Sequence, residues 1–478
     1  MADFDLIVRN ARVISSELDS NSDIGVRDGR IAEVGHLNGA AGTEIDASGK
    51  VVTPGGVDPH CHIEQLSGMG LMNADTFDSA TRSAALGGTT TTISFAPQTA
   101  TSTLTEAVEE YAERAKRGSF VDYAFHIIMN DPAATGALQD LHDLVQAGHR
   151  SVKIFTTYNI QLSDREICEV LSVAKTAGAL VCVHAENDGL IGWTKDRLLA
   201  QGKVSPPFHA VSHPRLAEIE AVERLIRFAE FFATPIMLFH ISTREAAEAI
   251  RKARRQGVPV WAETCPHYLF MTADELVRPG LEGAKWMCSP PQRTSDDHEA
   301  LWEALADGTL SLVSSDHAPY RFDDSGKLSA GPDANFSQIA NGLPGLETRL
   351  PLMFDAMVSN GRLGAQAFVN TCCTSPAQIY GLPTKGDILP GLDADLVIWN
   401  PEKKVTFGPD DLHDKTGYNP WEGRTIVGWP ETVLLRGASV VENGQVVAGP
   451  GSGHWIARQK MGISTDATPA AEYIEAST

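Results

Sequence analysis

The stretch GGVDPHCHIEQ, residues 55–65, continues an apolar run that begins near Val51 and places His60 and His62 two positions apart. Alternate side chains of a β-strand point in the same direction, so both imidazoles would project together from the end of this strand. A histidine pair is weak support for a site by itself, because paired surface histidines are common. What the pair means therefore depends on the fold in which the strand lies.

Seven further β-rich runs follow the first, and helical patterns such as TLTEAVEEYAERAKRG (103–118) separate them. Eight alternating βα units predict an α/β fold, the (β/α)₈ TIM-type barrel, whose active sites lie at the carboxyl ends of its strands. A doubly wound open sheet is the alternative, although no G-x-G-x-x-G follows a strand. The runs begin near Val51, Thr90, Tyr123, Ser151, Leu180, Pro235, Val258 and Leu310.

The two ends of the chain differ from its middle, because both consist of short strand-like segments. Asp28-Gly29 and Asn443-Gly444 are hairpin turn signals within them. We predict one small β-sandwich-like domain built from both termini, with a C-terminal tail that frays or contacts another subunit. The predicted boundaries are 1–53 and 386–460 for the small domain, 54–385 for the barrel and 461–478 for the tail.

Composition disfavours several classes of partner. Lys and Arg number 39 and Asp and Glu 61, giving a formal net charge of −22 that suits neither nucleic acid nor anionic membrane. The seven cysteines are scattered without a C-x-x-C pair, which is not typical of a disulfide framework. The first ten residues lack signal-peptide features, and no apolar stretch is long enough to span a bilayer. We therefore expect a cytoplasmic protein.

Residues suited to metal binding lie at or near the ends of other predicted strands. Lys153 lies in the fourth run, His184 and His240 end the fifth and sixth, and Asp316 ends the eighth. With the first two histidines they could converge on one site that suits Zn, Mn or Fe(II). Lys153 is the odd member, because an ammonium group has no lone pair for a metal. It could form an ion pair with Asp316, or carry a carbamate.

The motifs DPHCH, SVKIFTTY, HAEN, FHIS and SDHAP together resemble the cyclic amidohydrolases of the dihydropyrimidinase and D-hydantoinase family. The resemblance covers nearly the whole chain and includes ETCPHYL (263–269), CSPPQR (288–293), NGLPGLETR (341–349) and DADLVIWNP (393–401). It implies an enzyme that hydrolyses a small cyclic amide with two divalent ions per subunit, zinc or manganese. It also implies a homo-oligomer, either a tetramer or a dimer.

The same resemblance implies a role for each site residue. The implied metal ligands are His60, His62, Lys153 as N6-carboxylysine, His184, His240 and Asp316. The implied substrate contacts are Tyr158, Ser289 and Asn341. Asp316 would also act as general base and then acid, and Tyr158 would donate a hydrogen bond to the oxyanion. A metal-bridging hydroxide would then open a dihydropyrimidine or 5-substituted hydantoin to an N-carbamoyl amino acid.

Several alternatives remain open. Allantoinase and cyclic imidase would share the metal set, whereas Glu64 stands where a dihydroorotase would place an arginine. A non-catalytic scaffold is disfavoured, because all six ligand positions are occupied. His317 and Cys61 are expected to face away from the centre, and His213 to be an ordinary histidine. After the histidine pair, an apolar wall for a bulky 5-substituent is predicted from Leu66, Met69, Leu71 and Met72.

Overall fold

The computed structural model describes residues 3–99 and 101–462, so most of the predicted tail lies outside the described residues. Five strands precede the barrel: β1 (Phe4–Ile14), β2 (Asp19–Arg27), β3 (Arg30–Gly35), β4 (Ala41–Asp46) and β5 (Val51–Pro54). The predicted turn at Asp28-Gly29 joins β2 to β3, and both residues have a positive φ, 51° and 73°. A two-residue hairpin turn needs this backbone conformation, which Asp and Gly tolerate well.

Eight parallel strands, hydrogen-bonded in chain order, form the central sheet. They are β6 (Gly56–Cys61), β7 (Thr89–Pro97), β8 (Asp122–Ile128), β9 (Ser151–Phe155), β10 (Leu180–His184), β11 (Ile236–Leu238), β12 (Val260–Thr264) and β13 (Leu312–Val313). A parallel bridge between Cys61 and His317 joins the two edges of the sheet. The His62 N–H also donates to the His317 carbonyl oxygen at 2.7 Å. The predicted (β/α)₈ barrel is confirmed.

Helices separate the barrel strands and continue after the last one. Their bounds are α1 (Phe77–Leu86), α2 (Leu104–Gly118), α3 (Ala137–Gln146), α4 (Asp164–Ala177), α5 (Asp188–Ala200), α6 (Pro207–Ser212), α7 (Arg215–Phe232), α8 (Arg244–Arg255), α9 (Pro266–Phe270), α10 (Ser295–Ala306), α11 (Arg349–Phe354), α12 (Ala365–Val369) and α13 (Ser375–Ile379). Capping boxes at Thr76, Thr103 and Ser163 start α1, α2 and α4. Each pairs side-chain and backbone groups that the first helical turn would leave unbonded.

The C-terminal segment returns to the first five strands. It supplies β14 (Leu396–Thr406), β15 (Thr425–Leu435), β16 (Ala438–Glu442) and β17 (Gln445–Val446). The sheet order is β17-β16-β15-β14-β5-β1-β2-β3, with β4 also beside β1. Strand β14 runs antiparallel to β5, whereas β4 and β5 run parallel to β1. Both termini therefore build one separate sheet, as predicted, while the exact domain boundaries stay a prediction.

The apolar run near Val51 is two strands rather than one. Strand β5 belongs to the small sheet, and the barrel begins only at Gly56. A Cβ atom on Gly55 would lie 2.1 Å from Thr90 Oγ1, and one on Gly56 would lie 2.3 Å from Leu350 Cδ1. The chain passes between the two sheets where only glycine fits, which a reading of hydrophobicity alone does not reveal.

A buried ion-pair network joins the barrel to the small sheet near β8 and β14. Lys385 Nζ lies 2.6 Å from an Asp122 oxygen, 2.7 Å from Asp395 and 3.1 Å from Asp393. Arg436 also pairs with Asp122. Every charge in this network has an opposite partner, as buried charges require.

Across the described ranges, 3–99 and 101–462, we find no helix with the length and apolar character needed to cross a membrane.

Candidate active site

A cavity of about 710 Å³ opens at the carboxyl ends of the barrel strands. It contains every residue for which the sequence predicted a role in metal or substrate binding. These residues are His60, His62, Lys153, Tyr158, His184, His240, Ser289, Asp316 and Asn341. The fold therefore brings together positions that lie up to 281 residues apart in the chain, from 60 to 341.

The first group of potential ligands, here called the His60 cluster, consists of His60, His62 and Asp316. One ligand atom from each lies within 4.8 Å of the others. Asp316 Oδ1 is 3.0 Å from His60 Nε2 and 3.7 Å from His62 Nε2. Behind them, His60 Nδ1 contacts Glu263 Oε1 and His62 Nδ1 contacts Gln65 Oε1, both at 2.5 Å. Each ring thus keeps Nε2 for a cation, with its other nitrogen held, as is usual for metal-binding histidines.

The electrostatics of this cluster suit a cation. Burial alone would raise the pKa of Asp316, but the charge of His60 and hydrogen bonds from His60 and His62 hold that pKa well below its usual range. Burial lowers the pKa of His62, so its ring is neutral at physiological pH. The cluster therefore presents an ionised carboxylate and the neutral ring of His62. Burial would lower the pKa of His60, but Asp316 and Glu263 raise it, so His60 must release its proton when a metal binds.

The second group, here called the Lys153 cluster, consists of Lys153, His184 and His240. The rings of His184 and His240 lie 4.5 Å apart, centroid to centroid. His184 Nε2 is 2.9 Å from Glu186 Oε2, which leaves its Nδ1 lone pair for a ligand. Lys153 Nζ lies 3.9 Å from the ring centroid of Phe239.

Lys153 is only 1% exposed, and its Nζ has no hydrogen-bond partner among the described residues. Burial lowers its pKa from 10.5 to about 7, the largest cause being loss of solvent. Within the described part of the chain, no ion pair links Lys153 to Asp316. The ion pair that the sequence left open as the alternative to a carbamate is therefore not found. A buried amine without a partner is costly unless chemistry uses it.

Unusual backbone conformations concentrate around these groups. Tyr158, His240 and Asp316 have φ values of 70°, 40° and 46°, in the left-handed region that such residues rarely adopt. Strand β13 ends before Asp316, so alternation along a strand does not set its direction. Backbone strain at Tyr158, His240 and Asp316 is typical of functional sites.

His317 lies outside the cavity lining, as expected, and its Nε2 is 3.1 Å from Asp75 Oδ2.

The three predicted substrate contacts lie side by side. Tyr158 is 36% exposed and lines the cavity, with Ser289 and Asn341 beside its hydroxyl group. Although the residue as a whole is 36% exposed, its hydroxyl group is surrounded by cavity residues. Loss of solvent around that group, reinforced by the charge of Glu186, raises the pKa of Tyr158. Its hydroxyl therefore keeps its proton at neutral pH and can donate. The Asn341 Oδ1 atom is buried and has no hydrogen-bond partner in the described ranges.

Four residues that support this site were not predicted from the sequence. Glu186 and Glu263 hold the rings of His184 and His60, and both are fully buried. His213, expected to be ordinary, lines the cavity and lies 3.0 Å from Glu186 Oε1. Spacing offered a signal for Glu186 alone, because it follows His184 by two positions in HAEN.

The fourth missed residue is Lys327, which is fully buried. Its Nζ donates to the carbonyl oxygens of Met287 at 3.2 Å and Ala340 at 3.0 Å. It therefore ties together the two loops that carry Ser289 and Asn341. No local sequence pattern marks this role, since the three segments are far apart in the chain.

The predicted apolar wall is half right. Leu66 and Met69 line the cavity, but Leu71 and Met72 are not among its lining residues. The loop turns back on itself, with a bridge between Leu66 and Met72 and a hydrogen bond from the Ser67 N–H to the Leu71 oxygen at 2.8 Å. Only the outgoing arm of this small hairpin reaches the cavity.

Comparison with known proteins agrees with this geometry. The model of the amidohydrolase family matches residues 51–440. A D-hydantoinase of Rhizobium radiobacter is 39% identical over 95% of this chain and 99% of its own length. The chain therefore belongs to the amidohydrolase family.

Comparison with solved structures places the chain in a narrower group within the amidohydrolase family. A D-hydantoinase structure with a TM-score of 0.92 is 38% identical and covers 96% of this chain and 100% of its own. The dihydropyrimidinase from Brevibacillus agri NCHU1002 has a TM-score of 0.91 at 34% identity, covering 95% and 99%. The protein is a cyclic amidohydrolase of the dihydropyrimidinase and hydantoinase type, as its motifs predicted.

Proposed function

We propose that the protein opens a dihydropyrimidine or 5-substituted hydantoin ring by hydrolysis, yielding an N-carbamoyl amino acid. The observation that carries this proposal is the convergence of the His60 cluster and the Lys153 cluster in one cavity. Allantoin and cyclic imides remain alternative substrates, because the metal ligands alone do not distinguish these rings.

The residues present fit a pair of divalent ions, zinc or manganese. We infer that the His60 cluster holds one ion and that His184 and His240 hold the other. Lys153 would bridge them after its neutral amine adds CO₂, a reaction that forms an N–C bond and releases one proton. Its buried, unpartnered Nζ supports this modification. When bound, the ions supply a water of lowered pKa and polarise the ring carbonyl.

The protein side chains then move protons and hold charge. Asp316, kept ionised by its neighbours, would accept a proton from the attacking water and return it to the leaving ring nitrogen. Tyr158 would donate a hydrogen bond to the carbonyl oxygen as negative charge develops there. The raised pKa of Tyr158 supports this role, because a deprotonated phenol could not donate.

Ring recognition falls to Ser289 and Asn341. Asn341 Oδ1 lacks a donor, and a ring N–H group would supply one. The cavity volume of about 710 Å³ is that of a site for a larger ligand than the bare ring. Together with Leu66 and Met69, this volume favours a hydantoin with a bulky apolar 5-substituent.

The test compares metal-replete and chelated protein on dihydrouracil, 5-aryl and 5-alkyl hydantoins, allantoin and a cyclic imide. We expect ring opening only in the replete sample, and fastest with the substituted hydantoins. Exclusive opening of dihydrouracil would contradict the bulky substituent. Failure on every ring with two metal ions bound would remove the substrate assignment, and absence of metal binding would favour the scaffold alternative.

The variant Tyr158→Phe distinguishes an effect on the catalytic step from an effect on metal binding. It removes one hydrogen-bond donor to the oxyanion, so kcat should fall by roughly 10²- to 10³-fold. Bound metal should stay unchanged. Equal kcat values in the variant and the parent enzyme would exclude Tyr158 from this role.

Cytoplasmic location and homo-oligomeric assembly, as a tetramer or dimer, also stay proposals. The free state of all seven cysteines supports the cytoplasmic location. The resemblance to the family supports the assembly. Size-exclusion chromatography with light scattering would test the assembly.

A further inference from the structure

We propose that Glu186 is a positioning residue that couples the metal ligand His184 to the ring-holding Ser289. This inference rests on the proposed function, since both roles are assigned there. It adds a role for Glu186, which lies in the HAEN motif but belongs neither to the metal-ligand set nor to the predicted substrate contacts.

The carboxylate of Glu186 accepts hydrogen bonds from three different segments. Its Oε2 atom lies 2.9 Å from His184 Nε2 and 2.7 Å from Ser289 Oγ. Its Oε1 atom lies 3.0 Å from His213 Nδ1. Glu186 is 0% exposed, so these three donors replace the water that an ionised carboxylate otherwise requires.

The backbone of Glu186 is held as well. Its N–H donates to Thr156 Oγ1 at 3.0 Å, and that hydroxyl lies 2.8 Å from the Glu186 carbonyl oxygen. Thr156 follows β9, the strand that carries Lys153. Glu186 is therefore fixed relative to β9 and β10, the strands that carry Lys153 and His184.

This contact determines which nitrogen of His184 faces a cation. A carboxylate accepts and does not donate, so it keeps the proton of the neutral ring on Nε2 and the lone pair on Nδ1. A glutamine at position 186 could instead offer its NH₂ group, which would weaken that preference.

The same contact determines what Ser289 offers to the substrate. Its single hydroxyl proton is donated to Glu186, so Oγ can only accept from an incoming group. His213 Nδ1 lies 3.5 Å from the same oxygen, which leaves at least one lone pair for the ring. Ser289 Oγ would then accept from a ring N–H group rather than donate to a carbonyl. Any shift of Glu186 would therefore weaken metal binding through His184 and substrate binding through Ser289 at the same time. This joint effect is what coupling means here.

Glu263 provides an internal control. It is also 0% exposed and holds a histidine of the site, His60. No hydrogen bond joins it to Ser289 or Asn341 within the described residues. A carboxylate with this arrangement should affect metal retention but not substrate affinity.

The experiment compares Glu186→Gln, Glu263→Gln and Ser289→Ala with the parent enzyme, all loaded with zinc. Bound zinc is measured after dialysis against a weak chelator, and KM and kcat at saturating zinc with the ring that the enzyme opens best. For Glu186→Gln we expect zinc to fall toward one ion per chain and KM to rise at least tenfold. For Glu263→Gln we expect loss of zinc with KM within twofold of the parent.

Ser289→Ala keeps the inference testable if Glu186→Gln does not fold. It removes only one hydroxyl group, yet coupling through Glu186 predicts a several-fold change in the rate of zinc dissociation. An unchanged rate would overturn the inference, as would Glu186→Gln with two zinc ions and a KM within twofold of the parent. If the parent enzyme itself bound no zinc or opened no ring, the proposed function would fail instead.

Discussion

Two buried lysines of this protein lie in opposite surroundings. Lys385, at the seam between the barrel and the small sheet, lies within 3.1 Å of three carboxylates, and their charges raise its pKa despite burial. Lys153, in the mouth of the barrel, contacts aromatic rings and has a pKa lowered to about 7. The side chain is the same and both are buried, but only the first is satisfied by the fold.

The difference between the two lysines distinguishes a residue that stabilises the fold from a residue that serves the reaction. A buried charge that is fully paired holds elements together, and removing one partner leaves the others uncompensated. A buried amine that contacts aromatic rings but has no hydrogen-bond or ion-pair partner is not compensated for lost water in the unmodified chain, so its presence points to reactivity. The seam is expected to control stability, and the mouth is expected to control activity.

The largest effect is expected from Lys153→Met, which tests whether Lys153 serves activity rather than stability. Loss of the proposed bridging group should reduce kcat/KM by at least 10³-fold, or about 4 kcal/mol of transition-state stabilisation. The metal-free variant should be as stable as metal-free parent protein or slightly more stable, because an unpartnered polar group is removed. Steady-state kinetics and thermal unfolding measure the two quantities.

A metal-free Lys153→Met protein that unfolds well below the parent would contradict this separation. It would mean that Lys153 supports the fold in a way that its contacts do not show.

The second effect concerns the seam. Lys385→Met leaves Asp122, Asp393 and Asp395 without their shared cation, so the free energy of unfolding should fall by about 3–5 kcal/mol. KM of the folded fraction should stay unchanged. Lys403→Met, at an exposed position of β14, is the matched control, with an expected change within about 0.5 kcal/mol. A normal melting temperature for Lys385→Met would show that the network adds nothing.

A smaller effect, dependent on pH, is expected at a second paired charge. Asp297 pairs with Arg215 at 2.7 Å. Burial would raise its pKa, but hydrogen bonds from Arg215, Arg244 and Thr294 lower it well below 3.8. A lowered carboxylate pKa contributes stability that is fully present above the unfolded value and lost as pH falls through the folded value.

Asp297→Asn should therefore lower the free energy of unfolding by about 1–3 kcal/mol at pH 7, with a smaller difference from the parent below pH 4. Urea unfolding at pH 7, 5 and 3.5 measures this dependence. A difference that is constant across the three pH values would argue against an ionised Asp297 as its source.

The smallest effect is expected at the apolar rim of the mouth. Leu66→Ala should raise KM for a 5-aryl hydantoin by roughly 5- to 30-fold, as expected for about 1–2 kcal/mol of lost apolar contact. KM for an unsubstituted ring should hardly change. Met72→Ala is the matched control, because Met72 lies on the returning arm of the same hairpin and outside the cavity lining. Equal effects of both variants would contradict the proposed wall.

Much of the architecture could be predicted from local pattern. The alternation of apolar runs and amphipathic helices indicated eight βα units, and the turn signals at Asp28-Gly29 and Asn443-Gly444 marked hairpins that the structure contains. Histidines at strand ends could be assigned to one face of a barrel, because the carboxyl ends of its strands meet there. Local pattern sufficed in these cases because each feature depends on neighbouring residues.

The sequence by itself determined the barrel, the second sheet from both termini and the residues that converge in the cavity. Only the tertiary structure decided that Glu186 joins His184 to Ser289, that Lys327 ties two loops together and that Lys153 lacks a partner while Lys385 has three. These properties depend on distances between segments far apart in the chain, and no periodicity encodes them. Burial then decides the chemistry, since water satisfies the same side chains equally well at an exposed position.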